Sequence, residues 1–330
     1  MAGQWIKRAL VSSRMTRLAA RLAGSRVAIL MYHSVREEPQ RHASVLGGMS
    51  HSAAVFRRQM EMISREYRPT TLDDVHLFLT GRKDLPPRAV AVTFDDGYTD
   101  NYDTAAPILN DLGIPATFYL TVDCVEKGSL PWPARLRRVL LASSVPNWRA
   151  PGGGVWPLKD REQRNQVFAW ACEHGAKLAG GEQERWVQSL EAELGNGHPT
   201  SNERWMMTWD QARTLARRGH SVGSHSMTHP NMAYVSLKEA ERELKLSKHR
   251  LEQALGVSIV HFSYPCPALS PHWKEQTVEL SRRLGYMTAV TADGGPVRRH
   301  DNPLCLRRVR PTKEVEALRW NLERAFARVA

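Results

Sequence analysis

Short apolar segments alternate along the chain with longer segments in which apolar residues recur every three or four positions. The short segments have the length and the β-branched and aromatic content of buried strands. They span residues 27–32, 89–94, 116–120, 220–224, 259–264, 286–290 and 304–309. The longer segments have the period of amphipathic helices and span residues 53–65, 72–79, 102–112, 209–218, 237–255 and 272–284. This alternation predicts βαβ units, a parallel sheet and right-handed crossovers.

The number of predicted strands is large enough for the sheet to bend into a barrel. We therefore expect an α/β fold, an irregular (β/α) barrel of about seven strands that occupies residues 26–312. In barrels of this kind the chemistry collects at the carboxyl ends of the strands. Side chains that directly follow a predicted strand are accordingly the first candidates for a functional site.

Residues 121–204 interrupt this alternation. They contain no convincing strand, and clusters of proline and glycine separate helical patterns at 134–142 and 161–178. A segment of this length exceeds an ordinary connection between two elements. We predict a helical insertion after the third strand, which serves either as a lid over the site or as an interaction surface.

Two further helical patterns lie at 1–25 and at 313–330. In the first, basic residues are interspersed through the apolar positions, so no apolar stretch has the length of a signal peptide or a membrane span. This pattern predicts a cytoplasmic protein. The 1–25 segment is interpreted either as a basic amphipathic helix that lies on the anionic inner face of a membrane, or as a helix packed on the flank of the domain.

Composition adds an electrostatic constraint, because the 330 residues carry a formal net charge of +12. The excess favours association with an anionic surface, whether acidic polysaccharide, lipid or nucleic acid. Nucleic acid is the disfavoured partner, since the sequence has no RNP-like run, zinc-finger spacing or recognition-helix signature. The 4 cysteines form no C-x-x-C pair, which argues against a disulfide framework and a cysteine-rich zinc site. The oligomeric state stays open.

Two adjacent carboxylates, Asp95 and Asp96, follow the apolar segment at 89–94 and precede Gly97. At the end of a strand, the turn that glycine permits can bring both side chains toward one centre. The like charges would repel each other, and a bound cation would remove that penalty, with one carboxylate as a ligand and the other free as a base. The alternative interpretation is a surface turn that caps the following helix.

A pair of histidines, His225 and His229, follows another predicted strand at 220–224. Two neutral imidazoles and one carboxylate are a common ligand set for a catalytic divalent cation, and they leave positions open for water and substrate. Zinc is the default metal for such a set. Paired histidines are also frequent on protein surfaces, but both signals occur at strand ends of a barrel-like pattern. Together they predict a single site for one divalent metal ion.

Several short motifs resemble those of the polysaccharide deacetylase family, the NodB-homology carbohydrate esterases. TFDDG at 93–97 and HSMTH at 225–229 are similar to the first two motifs of that family. LMYHSV at 30–35 resembles the first strand of a bacterial exopolysaccharide-associated branch, and FSYP at 262–265 resembles its third motif. The resemblance covers residues 26–120 and 205–310, so the predicted insertion lies outside it.

The resemblance implies roles for individual residues. It implies that Asp96, His225 and His229 bind the metal and that Asp95 is the general base. The metal would polarise an acetamide carbonyl and lower the pKa of water to about 7, while the base takes the proton from the attacking water. A backbone N–H near Tyr264 is a candidate to support the oxyanion of the tetrahedral intermediate.

Three other side chains are candidates for binding the sugar. Tyr98 is placed to line the cleft, and Trp132, after the third strand, could stack on a pyranose face. The tryptophans of the insertion are equally consistent with a small core of its own. Arg307 cannot readily give up a proton, so its candidate role is to bind substrate or to tune a carboxylate.

The sequence departs from the family at its third and last motifs. Where the family has an arginine that pairs with the catalytic aspartate, this chain has Ser263, so the partner of Asp95 is unassigned. Many members carry a Leu-x-His in the last strand whose imidazole is the general acid, but residues 304–308 contain no histidine. His33 and His300 are the replacement candidates, and each can also be a structural or surface histidine.

The function expected from these residues is hydrolysis of N-acetyl groups from hexosamine units of a bacterial polysaccharide or of its lipid-linked precursor. The partner would be an N-acetylated glycan. The rival interpretation is a non-catalytic glycan-binding or scaffolding protein that keeps the deacetylase fold and the metal site. Nucleic-acid binding through the net charge is a third alternative, and it predicts steeply salt-dependent affinity for DNA.

Overall fold

The computed structural model describes residues 26–38, 43–150, 153–195 and 204–327. The helix predicted at 1–25 lies outside the described residues. Strands of the described part are β1 (Arg26–Tyr32), β2 (Ser34–Arg36), β3 (Ser50–Ser52), β4 (Arg68–Pro69), β5 (Ala89–Phe94), β6 (Ala116–Leu120), β7 (Asn147–Arg149), β8 (Val155–Pro157), β9 (Ser221–Ser224), β10 (His261–Ser263), β11 (Thr288–Gly294), β12 (Val297–Arg298) and β13 (Leu306–Arg308).

The main sheet has the strand order β12-β1-β5-β6-β9-β10-β11-β13, with β4 paired to β5. From β1 to β13 all neighbouring strands are parallel, and only β12 is antiparallel, against β1. The sheet nearly closes on itself, because Val309 donates to the carbonyl of Ile29 (2.7 Å) and accepts from the N–H of Met31 (3.2 Å). The predicted irregular (β/α) barrel is confirmed, and each predicted strand corresponds to a strand of this sheet.

Helices surround the sheet and fill the connections between its strands. They are α1 (Ala43–Leu46), α2 (Ala53–Glu66), α3 (Leu72–Leu79), α4 (Ala106–Asp111), α5 (Val122–Lys127), α6 (Trp132–Ala142), α7 (Arg161–Gly175), α8 (Gly180–Glu193), α9 (Trp209–Arg217), α10 (Leu237–Leu255), α11 (Glu275–Arg283) and α12 (Val315–Phe326). A π-helical turn (Asn101–Ala105) leads into α4, and a 3-10 turn (Gly47–Met49) follows α1. Among the helices that the structure describes, none has both the length and the apolarity needed to cross a membrane.

Burial on both faces explains why the central strands are continuous apolar runs rather than alternating ones. All six residues of β5 are buried. Ala89 and Ala91 pack with Val27 of β1 and with side chains of β11 and β13, and this cluster fills the barrel interior. Val90 and Val92 face the other way and pack with the surrounding helices. Every second residue of the strand, starting from Ala89, therefore faces the barrel interior, and Asp95 continues this series just after the strand ends.

The segment between β6 and α9 contains α5 to α8 and a core of its own. That core includes Trp132, Leu136, Trp148 and Leu190. The expectation that this segment contains no strand is wrong, because β7 and β8 form an antiparallel pair in which Trp148 lies opposite Trp156. Gly153 and Gly154, the described residues of the cluster at 151–154 that predicts a break between helices, lie between the two strands of this pair.

Candidate active site

The candidate side chains lie where the carboxyl ends of the parallel strands meet. His33 directly follows β1, and Asp95 and Asp96 directly follow β5. His225 directly follows β9. Strand pairing continues up to these residues, since the N–H of Asp95 donates to the last carbonyl of β1 (3.0 Å) and that of His225 to the last carbonyl of β6 (2.9 Å). The rigid sheet therefore fixes the backbone from which the site is built.

Asp96, His225 and His229 form a compact buried group. The Oδ1 atom of Asp96 lies 3.4 Å from Nε2 of His225 and 3.4 Å from Nε2 of His229. One ligand atom from each of the three residues lies within 4.8 Å of the others. All three side chains are buried. The spacing suits a set of three ligands around one cation.

Unusual backbone conformations bring these side chains together. Asp96 has a φ of 75° and His229 a φ of 65°, in the left-handed region that few residues other than glycine adopt. Such a conformation costs about 1–2 kcal/mol per residue. Gly97 is also left-handed, with a φ of 90°, and a Cβ there would come within 2.9 Å of the Leu120 side chain. This turn places Asp96 beside Asp95 instead of on the opposite face of the strand.

The hydrogen bond of His225 determines which of its ring nitrogens faces Asp96. Its Nδ1 lies 2.8 Å from the backbone carbonyl oxygen of Ser263. A carbonyl can only accept, so Nδ1 carries the proton and Nε2 of the neutral ring carries a lone pair. The backbone carbonyl of Ser263, at the end of β10, therefore fixes the orientation of this ring.

A buried carboxylate holds the loop that connects the two histidines. Glu243 of α10 accepts hydrogen bonds from the N–H of Met227 (2.9 Å), from the N–H of Thr228 (2.9 Å) and from the hydroxyl of Thr228 (2.7 Å). Glu243 is only 1% exposed. Burial raises the pKa of Glu243 to about 7, despite these hydrogen bonds. Glu243 could not be identified from the sequence, because it lies in the middle of a long amphipathic helix.

Asp95 is paired with Arg308 in a two-pronged ion pair. The guanidinium nitrogens lie 2.8 Å from Oδ1 and 2.7 Å from Oδ2 of Asp95, and the Ser263 hydroxyl donates to Oδ1 (3.1 Å). Both partners are buried, with Arg308 1% exposed. Burial would raise the pKa of Asp95, but Arg308 and the nearby imidazoles outweigh that effect and lower this pKa to about 2. Asp95 is therefore ionised at neutral pH.

Arg308 is the partner of Asp95 that could not be assigned from the sequence. The sequence favours Arg307 of the same strand as the residue that binds substrate or tunes a carboxylate, but Arg307 is exposed and does not line the cavity described below. In β13 the burial alternates, with Leu306 and Arg308 buried and Arg307 exposed between them. Alternate residues of a strand share a face, so Arg308 lies on the same face as the apolar Leu306 two positions earlier. This pattern was the signal in the sequence that could have indicated Arg308.

The two candidates for the general acid lie in different places. His33 lines the cavity, and its Nε2 is 3.9 Å from Oδ2 of Asp95. Burial lowers the pKa of His33, partly offset by the two aspartates. His300 lies in an exposed turn after β12 and is not among the residues that line the cavity. Of the two, only His33 is close to Asp95.

The structure also separates the remaining candidates. Tyr98 and Tyr264 are buried and line the cavity, but the N–H of Tyr264 donates to the carbonyl of Val290 (3.0 Å), so this N–H is not available to support an oxyanion. Trp132 does not line it: the indole packs in the core of the insertion, 6.5 Å from the ring of Trp186. The indole N–H donates to the backbone carbonyl of His229 (2.9 Å). Trp132 thus connects the insertion to the histidine loop, a placement different from the one expected for a sugar platform.

A cavity of about 440 Å³ opens above the site. Its floor contains the two aspartates and the two histidines, and one wall is formed by residues of α6 and α7 of the insertion. The size suits a small organic ligand, since such pockets commonly measure about 300–1,000 Å³. The insertion therefore forms part of the cleft that a substrate would enter.

The family model described as polysaccharide deacetylase matches residues 82–153 and 183–289, together more than half of the chain. Among curated proteins, the chain is 21% identical over 291 residues to YxkH of Bacillus subtilis (strain 168), which is assigned to the polysaccharide deacetylases. That similarity covers 87% of this chain and 71% of YxkH.

Solved structures share the fold at low sequence identity. The deacetylase PplD of Streptococcus pyogenes, solved in complex with acetate, is 18% identical and superposes with a TM-score of 0.61 over 92% of this chain and 99% of that chain. IcaB of Ammonifex degensii is also 18% identical, with a TM-score of 0.59 over 92% of this chain and 98% of that chain. These likenesses confirm the barrel architecture.

Proposed function

The chain belongs to the polysaccharide deacetylase family, and from that membership we propose that it is a metal-dependent hydrolase. It is a polysaccharide N-deacetylase, and its substrate is an N-acetylated glycan. The finer proposal is that it removes N-acetyl groups from hexosamine units of a bacterial polysaccharide or of its lipid-linked precursor. The observation that carries this proposal is the buried group of Asp96, His225 and His229 beside the ionised Asp95.

The donor atoms of this group fit a divalent cation. Oδ1 of Asp96 is buried without a hydrogen-bond partner among the described residues, and Nε2 of His225 presents a lone pair toward it when the ring is neutral. Two acceptors 3.4 Å apart repel unless positive charge lies between them. Burial would lower the pKa of His225, but the two carboxylates outweigh this effect and raise it. The negative charge of the site therefore attracts a cation, which can be a proton or a metal ion. Zinc suits one carboxylate and two imidazoles.

The roles of the remaining residues follow from where their atoms lie. A divalent cation, when bound, supplies Lewis acidity toward an acyl oxygen and lowers the pKa of water. Asp95 is not a member of the three-ligand group, and its ionised carboxylate can accept the proton of the attacking water. Arg308 and Ser263 hold that carboxylate in one orientation, so its position is fixed before substrate arrives.

The leaving sugar amine needs a proton, and we assign its delivery to His33. The imidazole lies beside Asp95 and also faces the open space of the cavity, and 21% of its side chain is exposed. Burial lowers the pKa of His33, so the ring rests neutral at neutral pH and must take up a proton, such as the one that Asp95 3.9 Å away accepts from water, before it can deliver one. Histidine at the end of the first strand thus takes the place of the histidine that the last strand lacks.

Substituting His33 by glutamine should lower kcat by about 10²- to 10⁴-fold, because a positioned acid contributes that much. Glutamine keeps hydrogen-bonding capacity but cannot donate a proton as an acid. The matched control is His300→Gln, which changes the exposed alternative candidate and should leave kcat unchanged. Acetate release under saturating substrate measures both variants. A large loss in His300→Gln with normal turnover in His33→Gln would reverse the assignment.

Removing the carboxylate of Glu243 should weaken metal binding. Glu243→Ala releases the loop between the two histidines, and loss of such outer supports typically raises the dissociation constant of the metal about 10- to 100-fold. Competition titration with a chromogenic chelator measures this constant. Glu241→Ala, on the exposed side of the same helix and paired with Arg283, is the control and should bind metal normally. Equal dissociation constants for wild type and Glu243→Ala would show that metal binding does not depend on the hydrogen bonds between Glu243 and the histidine loop.

Metal analysis combined with acetate release tests the proposed function directly. The purified protein should contain about one divalent ion per chain, release acetate from acetylated chito-oligosaccharide or the cognate glycan, lose both after chelation and recover both on metal addition. The rival glycan-binding protein would carry metal and bind the glycan without releasing acetate. That outcome in metal-replete protein would overturn the proposal.

A further inference from the structure

The insertion contributes a fixed guanidinium to the wall of the catalytic cavity. Arg137 of α6 lies over the ring of Phe168, with its Cζ 4.5 Å from the ring centroid. On another side it lies against Gly47, where a Cβ would come within 3.2 Å of the guanidinium carbon. Gly47, Arg137 and Phe168 all line the cavity. An aromatic face and a bare stretch of backbone therefore hold the cation in place.

Arg137 differs from its neighbours on the same helix in its charge environment. Arg135 forms ion pairs with Glu184 (2.7 Å) and Glu191 (2.6 Å), and Arg138 lies 4.0 Å from Glu191. Within the part of the chain that the structure describes, no carboxylate lies within ion-pair distance of Arg137. Burial lowers the pKa of Arg137. A half-buried cation without a counter-charge in the protein is suited to an anion supplied by a ligand.

A second cation lines the same cavity. Arg310 follows β13, and its contact in the described structure is a long one, 3.5 Å, to the carbonyl oxygen of Ala292. The acidic residues among the described cavity lining are Asp95 and Asp96. Asp95 is neutralised by Arg308, and Asp96 belongs to the candidate metal site. Arg137 and Arg310 therefore add positive charge that no acidic residue of the described lining balances.

We propose that the cavity selects an anionic substrate, in which Arg137 and Arg310 bind a phosphate or carboxylate group on or next to the N-acetylhexosamine while its acetamide lies at Asp95. The inference rests on the proposed function and specifies its substrate class. The match to the family model is interrupted between residues 153 and 183, and this interval contains α7 with Phe168. The residue that holds Arg137 thus lies in a part of the chain that the family model leaves out.

Binding measurements test the proposal separately from turnover. In a full-length, metal-loaded Asp95→Asn background, calorimetry would compare N-acetylglucosamine, N-acetylglucosamine 1-phosphate and a disaccharide of N-acetylglucosamine and glucuronic acid. At least one anionic ligand should bind about tenfold more tightly than the neutral sugar, the value of one charge-assisted contact. The arm that shows the preference identifies phosphate or carboxylate as the group recognised.

The double variant Arg137→Gln/Arg310→Gln should lose this preference while binding the neutral sugar as before, which also shows that the cavity is intact. Arg58→Gln/Lys245→Gln removes the same charge from exposed positions outside the cavity and should keep the preference. Equal affinities for all three ligands, or a preference that survives the double substitution, would refute the inference. Acetate release from neutral acetylated chito-oligosaccharide by the unsubstituted protein tests the proposed function independently, because that reaction needs neither arginine.

Discussion

Asp95→Asn is expected to reduce acetate release about 10²- to 10⁴-fold, the usual contribution of a positioned general base, while the protein still binds its metal. Asparagine keeps the shape of the side chain and one acceptor oxygen for Arg308, but it cannot accept the proton of the attacking water. Asp95 lies outside the three-ligand group, so metal content should stay at the wild-type level. Acetate release and metal analysis on the same preparation measure the two effects.

Two control variants separate the base from the metal site and from general effects of the substitution. Asp96→Asn removes a predicted ligand, so it should lose metal and activity together. Asp111→Asn changes a surface carboxylate that pairs with Arg57, and it should lose neither. Wild-type turnover in Asp95→Asn would eliminate Asp95 as the base. Loss of metal in Asp95→Asn but not in Asp96→Asn would exchange the roles of the two aspartates.

The parts of this molecule that follow from local pattern could be predicted from the sequence. Buried parallel strands are continuous apolar runs, so the strands of the barrel could be located within a few residues. The site residues that follow strands directly, Asp95, Asp96 and His225, could be placed together because such strand ends converge at one edge of the barrel. The shared edge, more than any single motif, made the metal site predictable.

The interactions that depend on long-range geometry could not be predicted in the same way. Arg308 is 213 residues away from Asp95 in sequence, and the choice between it and Arg307 depends on which face of a three-residue strand is buried. Glu243 supports the histidine loop from the middle of a helix whose apolar periodicity gives no hint of a buried acid. In both cases tertiary contacts decide the role of the residue, and spacing in the sequence does not specify those contacts.

Arg308→Met is expected to lower the free energy of unfolding by about 3–5 kcal/mol, the cost of removing one partner from a buried ion pair. The substitution leaves the Asp95 carboxylate buried without its counter-charge, whereas methionine fills most of the volume of the arginine stem. Urea unfolding of chelator-treated protein at pH 7 measures the effect without a contribution from metal binding. Arg307→Met is the matched control, since Arg307 is exposed on the same strand and its loss should change stability by less than about 0.5 kcal/mol.

The stabilisation that Asp95 gives the wild-type protein depends on pH through its lowered pKa. An unfolded aspartate has a pKa of about 3.9, and the folded value is about 2, so the stabilisation is fully present above the unfolded value and is lost as the pH falls toward the folded value. In Arg308→Met, burial without the counter-charge raises the pKa of Asp95, so the variant regains stability as the pH falls and this carboxyl takes up a proton. The difference in unfolding free energy should therefore be largest at high pH and shrink toward low pH. A difference that stays constant from about pH 9 to about pH 4 would show that Asp95 is not held ionised by this arginine.

The double variant Asp95→Asn/Arg308→Met shows whether the loss comes from the pair itself. Because it removes both charges, it should be more stable than Arg308→Met alone, and the two single effects should not add. Coupling energies for residues in direct contact commonly reach about 0.5–3 kcal/mol. Additive effects would mean that Arg308 stabilises the barrel through its other hydrogen bonds, to Thr291 and Thr93, and not through Asp95. In that case the orientation of the base would have to come from Ser263, the remaining donor to its carboxylate.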